Sequence, residues 1–219
     1  MKFAVIVFPG SNCDHDAYYA LNKILGVEVE FIWHKESALD GFDAILLPGG
    51  FSYGDYLRTG AIAKYSPIMK EVIKYSKKGF PIIGICNGFQ ILIESGILSG
   101  ALLRNVKTKL ISKTVSLDVM TTNSIFTKEL DKNQKIHIPI AHGEGNYQAE
   151  PKVLQELQDN DCIAFKYSKY NNLNGSVSSI AGILNKDKNV LGMMPHPERA
   201  CEKILGSSDG INIFKSMIG

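Results

Sequence analysis

The sequence predicts one α/β domain spanning residues 1–219, with a mostly parallel central sheet, flanking helices and an added antiparallel section. Three observations predict it. In the first half, short continuous β-prone runs alternate with helical patterns, which means a parallel sheet with right-handed crossovers. After about residue 100 the runs become β-branched with polar alternation, as in antiparallel or edge strands, and short strands follow one another. No linker-like or low-complexity stretch and no internal repeat separates the two halves.

The elements follow in order. Residues 3–8 are an unbroken apolar run, as in a strand buried on both faces, and Pro9-Gly10-Ser11-Asn12 ends it. Ala17, Tyr18, Leu21, Ile24 and Leu25 recur at helical spacing, with Asp14 and Asp16 in the first turn and Gly26 at the end. Residues 27–33 alternate, a half-exposed strand. Residues 44–47 are a short buried strand closed by Pro48-Gly49-Gly50. A helical stretch covers 62–78, broken or bent by Pro67. Residues 81–85 form a fourth strand and 89–94 a helix. In the second half, 103–120, 136–140, 163–167, 180–184 and 190–194 read as strands. A last helix starts near Gly210, capped by Asp209.

Composition excludes several classes. Hydrophobic residues at 45% and charged residues at 21% rule out a wholly disordered chain, a collagen and a coiled coil. Lys+Arg 24 against Asp+Glu 22 gives a net charge of +2, which argues against a dedicated nucleic-acid binder. The cysteines, Cys13, Cys86, Cys162 and Cys201, lie far apart with no C-x-x-C pair, so neither a metal site nor a disulfide framework is expected. No apolar run reaches the ~18 residues of a membrane span, and residues 3–8 lead straight into a turn, unlike a signal peptide. The expectation is a cytoplasmic, thiol-reduced protein without membrane or nucleic-acid partners.

One cysteine has a chemical context. Gly84-Ile85-Cys86-Asn87-Gly88 is G-x-C-x-G between a strand and a helix, the nucleophile-elbow pattern with Cys in place of Ser. A sharp strand-to-helix turn has no room for Cβ atoms beside the nucleophile. The sulfur stands at a helix N-terminus, whose free amides favour a thiolate. The Asn87 amide points towards a developing oxyanion. Cys13 is the competing nucleophile. It too lies near a strand-to-helix junction, but it lacks flanking glycines and has Asp14 and Asp16 beside it, which disfavour a thiolate.

A thiolate needs a proton-handling partner. Met194-Pro195-His196-Pro197-Glu198 follows a buried strand, and its prolines stiffen an extended path. In extended chain, residues i and i+2 point the same way, so Glu198 can receive the His196 N–H and set its tautomer. The plainer alternative is a surface turn where prolines and charges meet. His142, in Ala141-His142-Gly143-Glu144-Gly145, is the second choice as base or a substrate-shaping residue. His15 and His34 look exposed or structural. Gly49, Gly50 and Phe51 follow a strand, and glycines there let backbone amides approach a ligand, so this loop supplies the other oxyanion donors. No G-x-x-x-x-G-K-[ST] and no G-x-G-x-x-G occurs, so no ATP site is recognisable.

The elbow Gly84–Gln90 with Pro195-His196-Pro197-Glu198 resembles the class I, triad-type glutamine amidotransferase family, whose domain is flavodoxin-like. Gly49-Gly-Phe-Ser-Tyr-Gly-Asp55, Ala141-His-Gly-Glu-Gly-Asn146, Asn174-Gly-Ser176 and the terminal Arg199 narrow the resemblance to the branch of glutaminase subunits serving phosphoribosylformylglycinamidine synthesis. Leu173 stands where that branch often has proline. The resemblance implies that Cys86, His196 and Glu198 form the triad. It further implies that Gly49, Gly50, Phe51 and Asn87 hold the oxyanion and that Gln90, His142 and Asn146 contact substrate. Glutamine would be split into glutamate and ammonia. No cofactor is implied in this chain. A separate synthetase subunit would hold ATP and magnesium, with a small bridging subunit joining the two. The rival readings are a stand-alone Cys–His–Glu hydrolase and a non-catalytic binding subunit. Arg58, Arg199 and the final helix are candidates for a partner surface.

Overall fold

The computed structural model describes residues 1–219. Its strands are β1 (Lys2–Val7), β2 (Glu28–Trp33), β3 (Ala44–Leu47), β4 (Ile82–Ile85), β5 (Ala101–Leu103), β6 (Ile111–Val119), β7 (Lys135–His142), β8 (Asn146–Gln148), β9 (Ile163–Tyr167), β10 (Ile180–Leu184) and β11 (Val190–Met193). A nine-stranded sheet has the order β2-β1-β3-β4-β11-β10-β9-β6-β7. The block β2-β1-β3-β4-β11 is parallel throughout. The block from β11 to β7 is antiparallel. The remaining two strands, β5 and β8, pair separately as a short antiparallel ribbon. The parallel strands β3, β4 and β11 are buried at every residue, which is why they read as unbroken apolar runs.

Five α-helices accompany the sheet: α1 (Asp14–Tyr18), α2 (Ile68–Lys77), α3 (Asn87–Glu94), α4 (Pro151–Asp159) and α5 (Ile211–Ile218). α1 continues as a wider π-type turn over Tyr19–Ile24, and Gly26 follows at φ +69°. Pro67 separates a short 3₁₀ turn, Ala63–Tyr65, from α2, as a missing N–H demands. One hydrophobic core of 56 buried residues runs from Phe3 to Met217. No helix is long and apolar enough to cross a membrane.

Some expectations need correcting. Of the stretch 103–120 only Leu103 and 111–119 are strand, because Thr108 (φ +52°) donates its amide to the Asn105 carbonyl and turns the chain between β5 and β6. β7 runs two residues past the expected strand at 136–140 and ends on His142. Asp209 does not cap α5. Gly210 is the N-cap, and the Asp209 carboxylate instead accepts the His137 amide at 2.7 Å. Residues 151–159 carry a helix that the apolar pattern hid, since only Leu157 of α4 is buried.

The topology positions the site. β1 pairs with β2 on one side and β3 on the other, so the strand order reverses at β1. Open α/β sheets bind ligands beyond the carboxyl ends of their strands near such a reversal. The chain leaves the carboxyl ends of four neighbouring parallel strands there: Cys13 after β1, Gly49 after β3, Cys86 after β4 and His196 after β11.

Candidate active site

Cys86 occupies a strained turn. Its φ of 51° and ψ of −103° fall outside the regions comfortable for an L-residue, at a cost of about 1–3 kcal/mol. The turn survives because its neighbours are glycines. A Cβ on Gly88 would fall on the Leu47 carbonyl oxygen of β3. A Cβ on Gly84 would lie 2.5 Å from Leu92 Cδ1 and 2.7 Å from the Gly88 carbonyl. The Cys86 amide is tied to Met193 O at 2.8 Å, which locks the elbow to β11. Sγ therefore stands at the N-terminus of α3, where unpaired helix amides favour negative charge. Its one hydrogen bond is a weak one to Ala141 O at 3.7 Å.

His196 and Glu198 meet, but through a 3₁₀ turn over Pro197–Arg199 that His196 N-caps and not through extended chain. His196 Nδ1–H donates to Glu198 Oε1 at 2.5 Å, and both side chains are buried. The His196 amide is anchored on Pro139 O of β7 at 2.8 Å. Burial disfavours an imidazolium, but the Glu198 carboxylate and then the Cys86 and Cys13 sulfurs outweigh it. His196 is thereby held well above its ordinary pKa. It is a proton donor at neutral pH, with Nε2 buried and free of any hydrogen bond. His142 differs. Burial and then the charge of His196 push it down to about 4, so it stays neutral. Its Nδ1 faces Asn105 Oδ1 at 3.2 Å. The two histidines thus divide their roles, and only His196 can deliver a proton.

A cavity of about 170 Å³ opens on Cys86, lined by Gly50, Phe51, Gln90, His142, Asp55 and Glu144 among others. It is smaller than the ~300–1,000 Å³ usual for pockets that take drug-sized ligands, so the space suits a small amino acid rather than a nucleotide. Gln90 is fixed in its wall: Nε2 donates to Glu144 O at 2.6 Å and Oε1 accepts from Asn87 Nδ2 at 2.9 Å. In the glycine loop the Phe51 amide donates to Gly10 O at 3.1 Å and is not free to hold an oxyanion. No hydrogen bond occupies the Gly49, Gly50 and Asn87 amides. Of these, Gly50 stands in the cavity wall at φ +131°. Gly49 has a different duty, since a Cβ there would sit 2.7 Å from His196 Cε1 and 3.1 Å from Cys13 Sγ. Asn146 does not reach the cavity. Its side chain spans Arg104 O (3.3 Å) and Gln148 Nε2 (2.6 Å) and braces the ribbon.

The sequence reading gave no role to several polar residues of the cavity wall. Asp55, Thr59 and Glu144 line the wall, and Thr59 Oγ1 donates to Glu144 Oε2 at 3.0 Å. Burial, and then Glu144, raise Asp55 to about 6. The charge argument against Cys13 also needs revision. Asp16 is engaged by Arg199 Nε at 3.0 Å, and Arg199 NH2 donates to Cys13 Sγ at 2.9 Å. The sound reason to prefer Cys86 is access: Cys86 lines the cavity and Cys13 does not.

The profile of CobB/CobQ-like glutamine amidotransferase domains matches residues 1–214. The chain belongs to that family. Among solved structures, it is 46% identical to a chain in the structure of PurLQS from Thermotoga maritima, with a TM-score of 0.90, covering 99% of this chain and 97% of that one. Two more distant structures share the fold. One is a putative GMP synthase subunit from Thermoplasma acidophilum, 20% identical with a TM-score of 0.67, covering 100% of this chain and 93% of that one. The other is a glutamine amidotransferase from Thermotoga maritima, 16% identical with a TM-score of 0.63, covering 100% of this chain and 96% of that one.

Proposed function

We propose that this chain is the cytoplasmic glutaminase subunit of a phosphoribosylformylglycinamidine synthase, releasing ammonia from glutamine for a separate synthetase subunit. The observation that carries the chemistry is the strained Cys86 elbow opening on a small cavity beside the buried His196–Glu198 pair. The likeness to the PurLQS chain over nearly the whole length supports the choice of synthase.

Cys86 attacks the carboxamide carbon of glutamine as a thiolate, forming a C–S bond. The oxyanion is received by the Asn87 and Gly50 amides, and losing one such donor typically costs ~10²–10³ in rate. Protonated His196 gives its proton to the departing nitrogen, the C–N bond breaks, and ammonia leaves a γ-glutamyl thioester. Neutral His196 then takes a proton from water, the hydroxide adds to the thioester carbon, and glutamate departs with Cys86 restored. Glu198 holds the Nδ1–H tautomer through both halves, leaving Nε2 to work.

Ammonia released into water is protonated and loses its nucleophilicity, so it is useful only through a closed path to an acceptor. ATP, magnesium and formylglycinamide ribonucleotide belong on the synthetase, and a small third subunit bridges the two. The test is reconstitution with a synthetase subunit. Glutamine should support formylglycinamidine ribonucleotide formation, and Cys86→Ala should remove glutamine dependence while free ammonia still serves. Product formation from glutamine by the Cys86→Ala complex would overturn the reading. Rapid, ungated glutamine hydrolysis by the isolated chain would favour a stand-alone hydrolase.

A further inference from the structure

The wall of the cavity at Cys86 is rich in hydrogen-bond acceptors that the amidase chemistry does not use. Its charged side chains are two carboxylates, Asp55 and Glu144. Glu144 is partly answered: Thr59 Oγ1 donates to Oε2 at 3.0 Å, and Arg104 Nε stands 3.5 Å from Oε1. Asp55 has no ion-pair partner, and its side chain meets only the Asn87 amide group, at 3.5 Å. His142 adds a third acceptor. Asn105 Nδ2 donates to Lys109 O and His142 O, both at 2.8 Å, and Asn105 Oδ1 receives the Gly145 amide at 3.1 Å. The His142 Nδ1 that faces this oxygen at 3.2 Å therefore carries the ring proton. Nε2 is left as a lone pair, and it is buried with no partner on a residue of the cavity wall. Unanswered buried acceptors are costly, so this wall suits a ligand that brings N–H groups and positive charge.

We propose that Asp55 and Glu144 bind the α-ammonium of the substrate, so that the cavity takes free glutamine and rejects glutamine whose α-amino group is missing or acylated, as it is within a peptide. An ammonium has three N–H donors and no acceptor, the complement of this wall. Four bonds of about 1.5 Å separate the carboxamide carbon of glutamine from its α-nitrogen, an extended reach of about 5 Å. One small cavity can therefore hold the amide at Cys86 and the ammonium at the two carboxylates. His142 Nε2 receives a further N–H of the same molecule. The inference deepens the glutaminase reading and rests on it, since the α-ammonium has meaning only if glutamine is the substrate.

The surroundings favour this assignment. Arg104 is the rival cation for Glu144, but its side chain is 78% exposed and its pairing is long, so it yields to a charge held inside the wall. The loop that carries Asp55 is fixed before any substrate arrives. Tyr53 and Asp55 both take left-handed backbone, at φ +55° and +54°, and the Tyr53 hydroxyl is tied to His34 Nδ1 and Ser66 Oγ at 2.9 Å each. Little ordering then remains for binding to bring about. Burial and the nearby Glu144 push Asp55 up to about 6, and an ammonium between the two carboxylates relieves both effects. A ligand without the amino group leaves these acceptors unpaired and brings its own negative carboxylate towards them, which is how a site built for an N–H discriminates.

The experiment uses the complex reconstituted with the Cys86→Ala chain, which lacks the nucleophile. It is titrated by calorimetry with glutamine, with glutaramate (the same acid amide without the amino group) and with N-acetylglutamine. Glutamine should bind at least about a hundredfold more tightly than either analogue. Asp55→Asn added to Cys86→Ala should weaken glutamine at least about tenfold and strengthen glutaramate, because it removes attraction for the ammonium and repulsion of the acid together. A merely structural lesion would weaken both ligands alike. Glu144→Gln should move the two ligands in the same opposite directions, and it keeps the test decisive if Asp55→Asn does not fold. Glutaramate or N-acetylglutamine bound as tightly as glutamine, or variants that weaken every ligand equally, would overturn the inference and leave the glutaminase reading standing. A Cys86→Ala complex that binds no glutamine would overturn the glutaminase reading itself, a failure seen before either carboxylate is changed.

Discussion

Replacing Glu198 by Gln keeps the shape of the triad and removes its charge. His196 Nδ1 lies 2.5 Å from Glu198 Oε1, and at an effective dielectric of about 20 two unit charges at that separation attract by ~7 kcal/mol. Burial takes back several kcal/mol per ion, which leaves a pair whose disruption costs about 3–5 kcal/mol if the imidazolium must persist. It need not persist, because a buried histidine without a counter-ion sheds its proton. The loss then appears in catalysis. A neutral His196 cannot protonate the leaving nitrogen at about pH 7, and acid–base assistance of this kind contributes about 10²–10⁴. Glu198→Gln should lower kcat by that factor, equal to ~3–5.5 kcal/mol of barrier. Glu198 lines no part of the glutamine cavity, so KM should stay within about twofold. The stability difference has a pH signature. His196 is raised in the folded state, so the stabilisation by Glu198 is complete below about pH 6.5 and fades as pH rises through the folded pKa. The assay is glutamate release by the reconstituted complex, with urea denaturation at several pH values. A kcat within about tenfold of wild type, or a loss confined to KM, would refute the reasoning.

Other expectations concern the frame around the triad. Gly88→Ala drives a Cβ into the Leu47 carbonyl oxygen, so β3 or the elbow must move; stability should fall by about 1–3 kcal/mol in urea, and an unchanged midpoint would contradict the elbow packing. Asp55 is raised to about 6, so ionising it costs folded-state stability as pH climbs from about 4 to about 6. Asp55→Asn should therefore gain on the wild type across that window and hold its lead above it, and parallel pH–stability curves would count against the shift. Gln90→Leu removes the donor to Glu144 O and the acceptor from Asn87 from the cavity wall. KM for glutamine should rise about tenfold with a smaller change in kcat, and the reverse split would remove Gln90 from substrate binding.

The chemistry was legible where it is local in sequence. Gly84 and Gly88 flank Cys86 because the turn excludes Cβ atoms, and that exclusion is written as G-x-C-x-G. The His196–Glu198 pairing was legible from their spacing, but extended chain is not its cause: Pro197–Arg199 is a 3₁₀ turn with His196 as its N-cap, and that turn brings the two together. What depends on distant strands was hidden. Arg199 reaches Asp16 and Cys13 only because the chain leaves β1 and β11 at the same carboxyl end of the sheet, so nothing local in the sequence could find that cluster. The same holds for Phe51, whose amide is claimed by Gly10 from the loop after β1. Asn146 resembled a substrate contact by its motif, yet its amide group is used on Arg104 and Gln148. α4 escaped notice because one buried leucine makes too faint a stripe.

The central claim is that Cys86, and not its buried neighbour Cys13, is the nucleophile. A glutamine-like chloroketone tests it directly, since the reagent must enter the amide cavity before it alkylates a thiol. Peptide mass spectrometry of the treated complex should find a single adduct, on Cys86, suppressed by glutamine and absent from Cys86→Ala. An adduct on Cys13 of the wild-type chain, formed with Cys86 unmodified and suppressed by glutamine, would contradict the account.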